Sequence, residues 1–261
     1  MEERQDLSDQ EQFKRIKLLL GDVPFKRLTS SSVTVVGIGA VGGYALEAIA
    51  RAGVMNITVI DHDIISQSNI NRQLLASHET IGQKKVVAAK NRIAEINPHA
   101  KVTALDMFVG RDTVPEILKI KTDLIIDAID SLNPKFELLK ATLTSDLPII
   151  SSMGAAMRTD PTKVKFGMLK DTRNCPLAKM LRKRFAKYKI KPAIPCVYSD
   201  EVIDKDNMPL SAPDGTEPPQ TSAGRIRNAM GSLPTVTGIF GLYIANYAIE
   251  MLSGYKNHEN D

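Results

Sequence analysis

Residues 33–53 read VTVVGIGAVGGYALEAIARAG, and no other stretch restricts the fold as tightly. The β-branched run 33–36 predicts a short buried strand. Glycines follow at once, then an Ala-rich helix over 41–52 closed by Gly53. The run 56–60 predicts a second strand, closed by Asp61 and Asp63. Strand, helix and strand within about 30 residues make a βαβ unit, so the strands are expected parallel. The alternation continues: helix 83–96 ending at Asn97-Pro98, strand 102–105, helix 113–119, strand 124–126, helix 134–143 and strand 148–151. Ahead of it, 13–20 predicts a short amphipathic helix. The expected fold is α/β, a doubly wound Rossmann-like sheet, mostly parallel. Two later segments, 163–168 and 193–198, are expected as an antiparallel C-terminal extension, and 234–252 as a final apolar helix.

Composition removes several classes. Of 261 residues, 43% are hydrophobic and 25% charged, which excludes a wholly disordered chain. No run of 18 uncharged apolar residues occurs, so no transmembrane segment is expected. The opening MEERQDLSDQEQ is acidic and polar, unlike a signal or basic transit peptide, and a cytoplasmic location is expected. Two cysteines, Cys175 and Cys196, cannot build a disulfide framework or a four-cysteine zinc site. The net charge of +4 permits a nucleic-acid partner without requiring one.

In the glycine loop, Gly37 allows the tight turn, Gly39 lets the backbone approach a phosphate, and Gly42 lets helix pack on strand. An anion would sit at the helix N-terminus. Asp61 lies 19 residues after Gly42, where a carboxylate can hold ribose hydroxyls. Asp63 shares that loop, as a second ligand or as a solvated turn acid. A nicotinamide dehydrogenase fits this far. Ser68-Asn69-Ile70-Asn71-Arg72-Gln73 then brings an arginine and three amides near the ribose end, and Gly82-Gln83-Lys84-Lys85 opens another helix. Each cation alone reads as surface solubility. Together, Arg72 and Lys85 suit a triphosphate whose α-phosphorus is attacked, not a nicotinamide pocket. Asp127-Ala128-Ile129-Asp130 ends a strand at the ligand-binding edge; Asp130 is the candidate Mg²⁺ ligand and Asp127 a structural cap.

GIGAVGG, D-x-D, N-x-N-R-Q, G-Q-K-K and D-A-I-D, in this order and spacing, resemble the adenylation domains of ubiquitin-activating-type (ThiF-like) enzymes, which activate carboxylates as acyl adenylates. The resemblance covers about residues 13–155. It implies ATP as the nucleotide, with Asp61 on the ribose and Arg72 and Lys85 on the phosphates. It also implies Asn69 and Gln73 assisting, Asp130 on Mg²⁺, and Arg15 reaching the ATP of a partner subunit in a homodimer. Residues 154–187, CVYSDE and GSLPTVTGIFG are similar to the bacterial tRNA threonylcarbamoyladenosine dehydratase branch, which lacks the zinc of its molybdopterin-type relatives. That branch implies ATP-dependent cyclisation of threonylcarbamoyladenosine beside the tRNA anticodon, and leaves room for a sulfur-transfer protein as a further partner. The competing readings are an adenylating enzyme for a ubiquitin-like sulfur carrier and a non-catalytic NAD-sensing module.

The expected organisation is a flexible tail, 1–12, and one domain, 13–261. Its nucleotide-binding half is 13–155. Its half facing substrate and tRNA is 156–261, with a mobile loop at 200–228 holding four prolines. Residues 179–191 carry seven cations and no acid, with Phe185 and Tyr188 interleaved. They read as a tRNA contact with an aromatic stacking on a base, or as a solvated helix face with Leu181 and Phe185 buried. Cys196, in PAIPCVYS, reads as a buried structural thiol, and His62 as a loop residue.

Overall fold

In the computed structural model, which describes residues 11–204 and 230–255, seven strands form one sheet in the order β3-β2-β1-β4-β5-β7-β6. The strands are β1 (Ser32–Val36), β2 (Asn56–Asp61), β3 (Lys101–Asp106), β4 (Leu124–Asp127), β5 (Ile149–Ser152), β6 (Val164–Met168) and β7 (Pro195–Ser199). All neighbouring pairs are parallel except β6–β7. The helices are α1 (Lys14–Leu20), α2 (Asp22–Ser30), α3 (Gly42–Arg51), α4 (Lys85–Ile96), α5 (Val114–Ile117), α6 (Leu132–Ser145), α7 (Pro176–Lys187) and α8 (Pro234–Ser253).

The sheet separates two cores because its strands are apolar on both faces. Val33, Val35, Ile57, Val59, Ile126 and Ile150 face α3, α4 and α8; Val36, Ile60, Ile125, Ile149 and Cys196 face α5, α6 and α7. Gly53, at φ +101°, ends α3 as expected. On α8, Gly238 and Gly241 let the helix lie close on α3: a Cβ at Gly241 would stand 2.5 Å from the Val41 carbonyl oxygen. By length and composition α8 could cross a bilayer, but half of its apolar window is buried in this packing.

Three expectations change. Of the two strands expected antiparallel, only β6 is so. The connection through α7 leaves the sheet at Met168 and re-enters it beside that residue at Pro195, so β7 runs antiparallel to β6 and enters between β5 and β6 parallel to β5. Helix α2 was not expected; Phe25 from it packs with Phe13 and Met55. Glu11 and Gln12, assigned to the tail, belong to a 3-10 turn, Glu11–Phe13, with Phe13 buried; residues 1–10 lie outside the described residues. Of the 200–228 loop, everything from 205 onward lies outside them too.

Candidate active site

The strand order reverses between β1 and β4, and at that point an open α/β sheet has a crevice beyond the carboxyl ends of its strands. Gly37 leaves β1 there at φ +85°, and its N–H donates to the Ile60 carbonyl at 2.8 Å. A Cβ on Gly37 would meet the Ala128 carbonyl at 3.0 Å, and one on Gly42 would stand 1.9 Å from the Gly37 oxygen. These two glycines are fixed by backbone contact. At Gly39 the nearest atom is Gln73 Nε2, 3.9 Å from a built Cβ, so the loop is open toward a ligand and Gln73 lies over it.

Asp61, at the end of β2, is 8% exposed. Its Oδ2 accepts from the Ile38 N–H at 2.7 Å and its Oδ1 from the Asp63 N–H at 2.8 Å. The residue expected on the ribose therefore also braces the glycine loop. Asp63 holds the Lys85 ammonium at 2.8 Å, and Lys85 is buried. His62 lies 3.3 Å from Asp63 and edge-on to Phe108, so it borders the crevice. Arg72 is half-buried and donates to the Ser68 carbonyl and to Asn71 Oδ1. Asn69 is buried, and its Oδ1 accepts from the Ser66 N–H at 3.1 Å, which caps the turn Gln67–Asn69. Its carbonyl oxygen thus serves the turn that presents Arg72.

Asp130 stands exposed just beyond β4, a hard oxygen donor at the crevice mouth. That fits Mg²⁺, which takes one or two carboxylates together with substrate phosphates. The chain thus brings Gly37, Gly39, Gly42, Asp61, Asp63, Gln73 and Lys85 into one connected group, with Asp130 on the neighbouring strand end. Arg15 is exposed on α1, outside this hydrogen-bonded group.

At the base of the site the sequence offered Asp127 as a structural cap but not its partners Lys135 and Ser151. Asp127 is fully buried, and its Oδ2 binds Lys135 Nζ at 2.6 Å and Ser151 Oγ at 2.7 Å. Removing either charge would strand the other, typically at about 3–5 kcal/mol. The available signal was a lysine inside the buried stripe Lys135, Leu138, Leu139, Thr142 of α6. Arg158 was missed as well. It is 1% exposed, donates to the Asn174 carbonyl at 2.6 Å and to the Glu201 carbonyl, and burial lowers its pKa.

The basic segment needs correction. Phe185 is fully buried against Phe136 and cannot stack on a base. Tyr188 is half exposed, but Lys140 lies over its ring and Phe136 packs beside it. Arg182 donates to the Leu169 carbonyl and to Thr172, and Arg184 to Asn133 while lying over Phe136. Lys179, Lys183 and Lys187 stay exposed on the outer face of α7. Cys196 is fully buried, and desolvation pushes its thiol up to about 12, which suits a structural thiol and not a nucleophile.

The chain is 42% identical over 190 residues to the tRNA threonylcarbamoyladenosine dehydratase of Bacillus subtilis (strain 168), covering 73% of this chain and 75% of that protein. It is 32% identical over 244 residues to the enzyme of that name from Escherichia coli (strain K12), covering 90% of each. The crystal structure of the E. coli enzyme in complex with ATP superposes with a TM-score of 0.81 at 30% identity, covering 93% of this chain and 94% of that one. The profile of the ThiF family matches residues 10–261, which include every element from the first turn to α8, and the chain belongs to that family.

Proposed function

We propose that this chain is an ATP-dependent dehydratase that cyclises N6-threonylcarbamoyladenosine in tRNA through carboxylate adenylation. The observation that carries the reading is the similarity to dehydratases of that name along nine-tenths of the chain, including one solved with ATP. The site chemistry agrees with it. The glycine loop and the N-terminus of α3 receive phosphates, and Asp61 takes the ribose. Arg72 faces the charge that develops as the substrate carboxylate attacks the α-phosphorus. Lys85 joins it by exchanging Asp63 for a phosphate oxygen. Asp130, with Asp63 behind Lys85, is the residue to hold Mg²⁺, which when bound offsets phosphate charge. The carboxylate–phosphorus bond forms as the bond to the β-phosphate bridge breaks, and pyrophosphate leaves. A nucleophile within the modification then attacks the acyl carbon, AMP leaves, and the ring closes. No side chain becomes covalently attached.

In this reading the protein is a homodimer in which Arg15 completes the partner's ATP site, and it works in the cytoplasm, where tRNA is. The outer lysines of α7 take tRNA phosphates, and no zinc takes part. A sulfur-transfer protein remains a candidate further partner. The test incubates purified protein with ATP and tRNA from a strain lacking the cyclised nucleoside. Nucleoside mass spectrometry should show loss of one water from threonylcarbamoyladenosine, with AMP and pyrophosphate formed in equal amount. Pyrophosphate exchange that requires a small protein ending in Gly-Gly instead of tRNA would favour the sulfur-carrier reading.

A further inference from the structure

Beneath the site runs a chain of contacts that the reaction itself does not use. Asp127 Oδ1 accepts from the Ile129 N–H at 3.1 Å, an Asx-type turn in which a side chain fixes the backbone two residues on. That turn ends at Ile129, immediately before Asp130. Its other side abuts the glycine loop: the Ala128 N–H donates to the Val36 carbonyl at 2.8 Å, and the Ala128 backbone fills the space a Gly37 side chain would need. The opposite oxygen of Asp127 is held by Lys135 from α6 and Ser151 from β5, and Lys135 also reaches Ser151 at 3.1 Å. Lys135 and Asp127 are both fully buried. One carboxylate thus ties two strands and a helix to the segment carrying the Mg²⁺ candidate. A buried ion pair often contributes no more stability than apolar residues of the same volume, and here its contacts converge on one turn.

We propose that Asp127 and Lys135 are positioning residues for adenylation. Lys135 and Ser151 orient the Asp127 carboxylate, and Asp127 sets the turn that aims Asp130 at the ATP phosphates. The proposal rests on the ATP-dependent reading above. Misplacement of a reacting group by about 1 Å can cost on the order of 100-fold in rate. Loss of the turn should therefore lower turnover much more than ATP affinity.

The test separates geometry from charge with two double variants. Asp127→Asn with Lys135→Met removes both charges but keeps an acceptor for the Ile129 N–H. Asp127→Leu with Lys135→Met has a similar volume and no acceptor. Calorimetric ATP titrations with and without Mg²⁺ give the factor by which the metal tightens ATP, and single-turnover AMP formation gives the rate. The Asn pair keeps the acceptor but not the lysine that orients it, so it should lose less of both than the Leu pair; equal losses in the two pairs would deny the turn its role. The Leu pair should lose about tenfold or more of the Mg²⁺ effect and at least that much in rate, with metal-free ATP affinity changed under threefold. Ser151→Ala, a smaller perturbation, should fall between and serves if the Leu pair does not fold. A folded Leu pair, or Ser151→Ala, with wild-type Mg²⁺ coupling and rate would overturn the positioning role. If wild type itself binds no ATP, the functional reading fails and the proposal falls with it.

Discussion

Arg72 reaches the site on a short turn whose hydrogen bonds are local: Asn69 caps it, and the guanidinium rests on Ser68 and Asn71. Arg72→Ala should therefore leave the melting temperature nearly unchanged while lowering adenylation by about 10²–10³, the usual loss for one preorganised donor. Turnover near wild type would remove Arg72 from the reaction. Cys196 is the opposite case. Burial raises its thiol from 9.0 to about 12, so it stays protonated at neutral pH and should resist iodoacetamide in the native protein. The sign for stability follows. Below 9.0 both folded and unfolded thiols keep their proton; above it the unfolded chain ionises first, so this residue withdraws stability as the pH climbs toward 12. Urea midpoints of Cys196→Ala should fall less steeply above pH 9 than those of wild type. The variant should also keep its activity; a folded but inactive protein would point to thioester chemistry.

At the scale of elements, α7 shows why charge counting needs a structure. Residues 179–191, from α7 into the segment after it, offer seven cations in 13 residues, yet Arg182 and Arg184 are spent on Leu169, Thr172 and Asn133. Replacing Lys179, Lys183 and Lys187 with Ala is the cleaner probe. If these lysines meet tRNA phosphates, the variant should bind tRNA more weakly and its slope of log K against log salt should shrink by about 2, with ATP affinity unchanged. Equal slopes in filter binding would make the face a solvated one. The same contrast explains what the sequence displayed. The β1–α3 unit was legible because strand run, glycine loop and helix are contiguous, and Gly37 and Gly42 each do the backbone job their spacing announces. The direction of β7 was not, because it depends on the connection through α7 re-entering the sheet at the end where β6 left it. Lys135, Ser151 and Arg158 escaped for the same reason: their partners lie 8 to 43 residues away and are met only through packing.

Across the whole molecule, the helix that follows the glycine loop packs closely on α8 through Gly238 and Gly241. Gly241→Ala would push a methyl to 2.5 Å from the Val41 oxygen, inside the loop itself, and nothing flexible can yield there. It should cost about 1–3 kcal/mol of stability and weaken ATP binding together. Gly238→Ala meets only the Tyr44 ring, at 3.3 Å, and should be milder in both. Melting curves with and without ATP separate the two effects. The order of synthesis gives this contact another meaning. Strand β1 and α3 leave the ribosome early, but their cover arrives only when α8 is translated, roughly 10–40 s later at ordinary elongation rates. For that interval Val41, Tyr44 and Ala45, which Gly238 and Gly241 lie against, are left without that cover. A nascent chain stalled before Pro234 would hold a glycine loop without a backing, a natural client for chaperones and a poor binder of nucleotide.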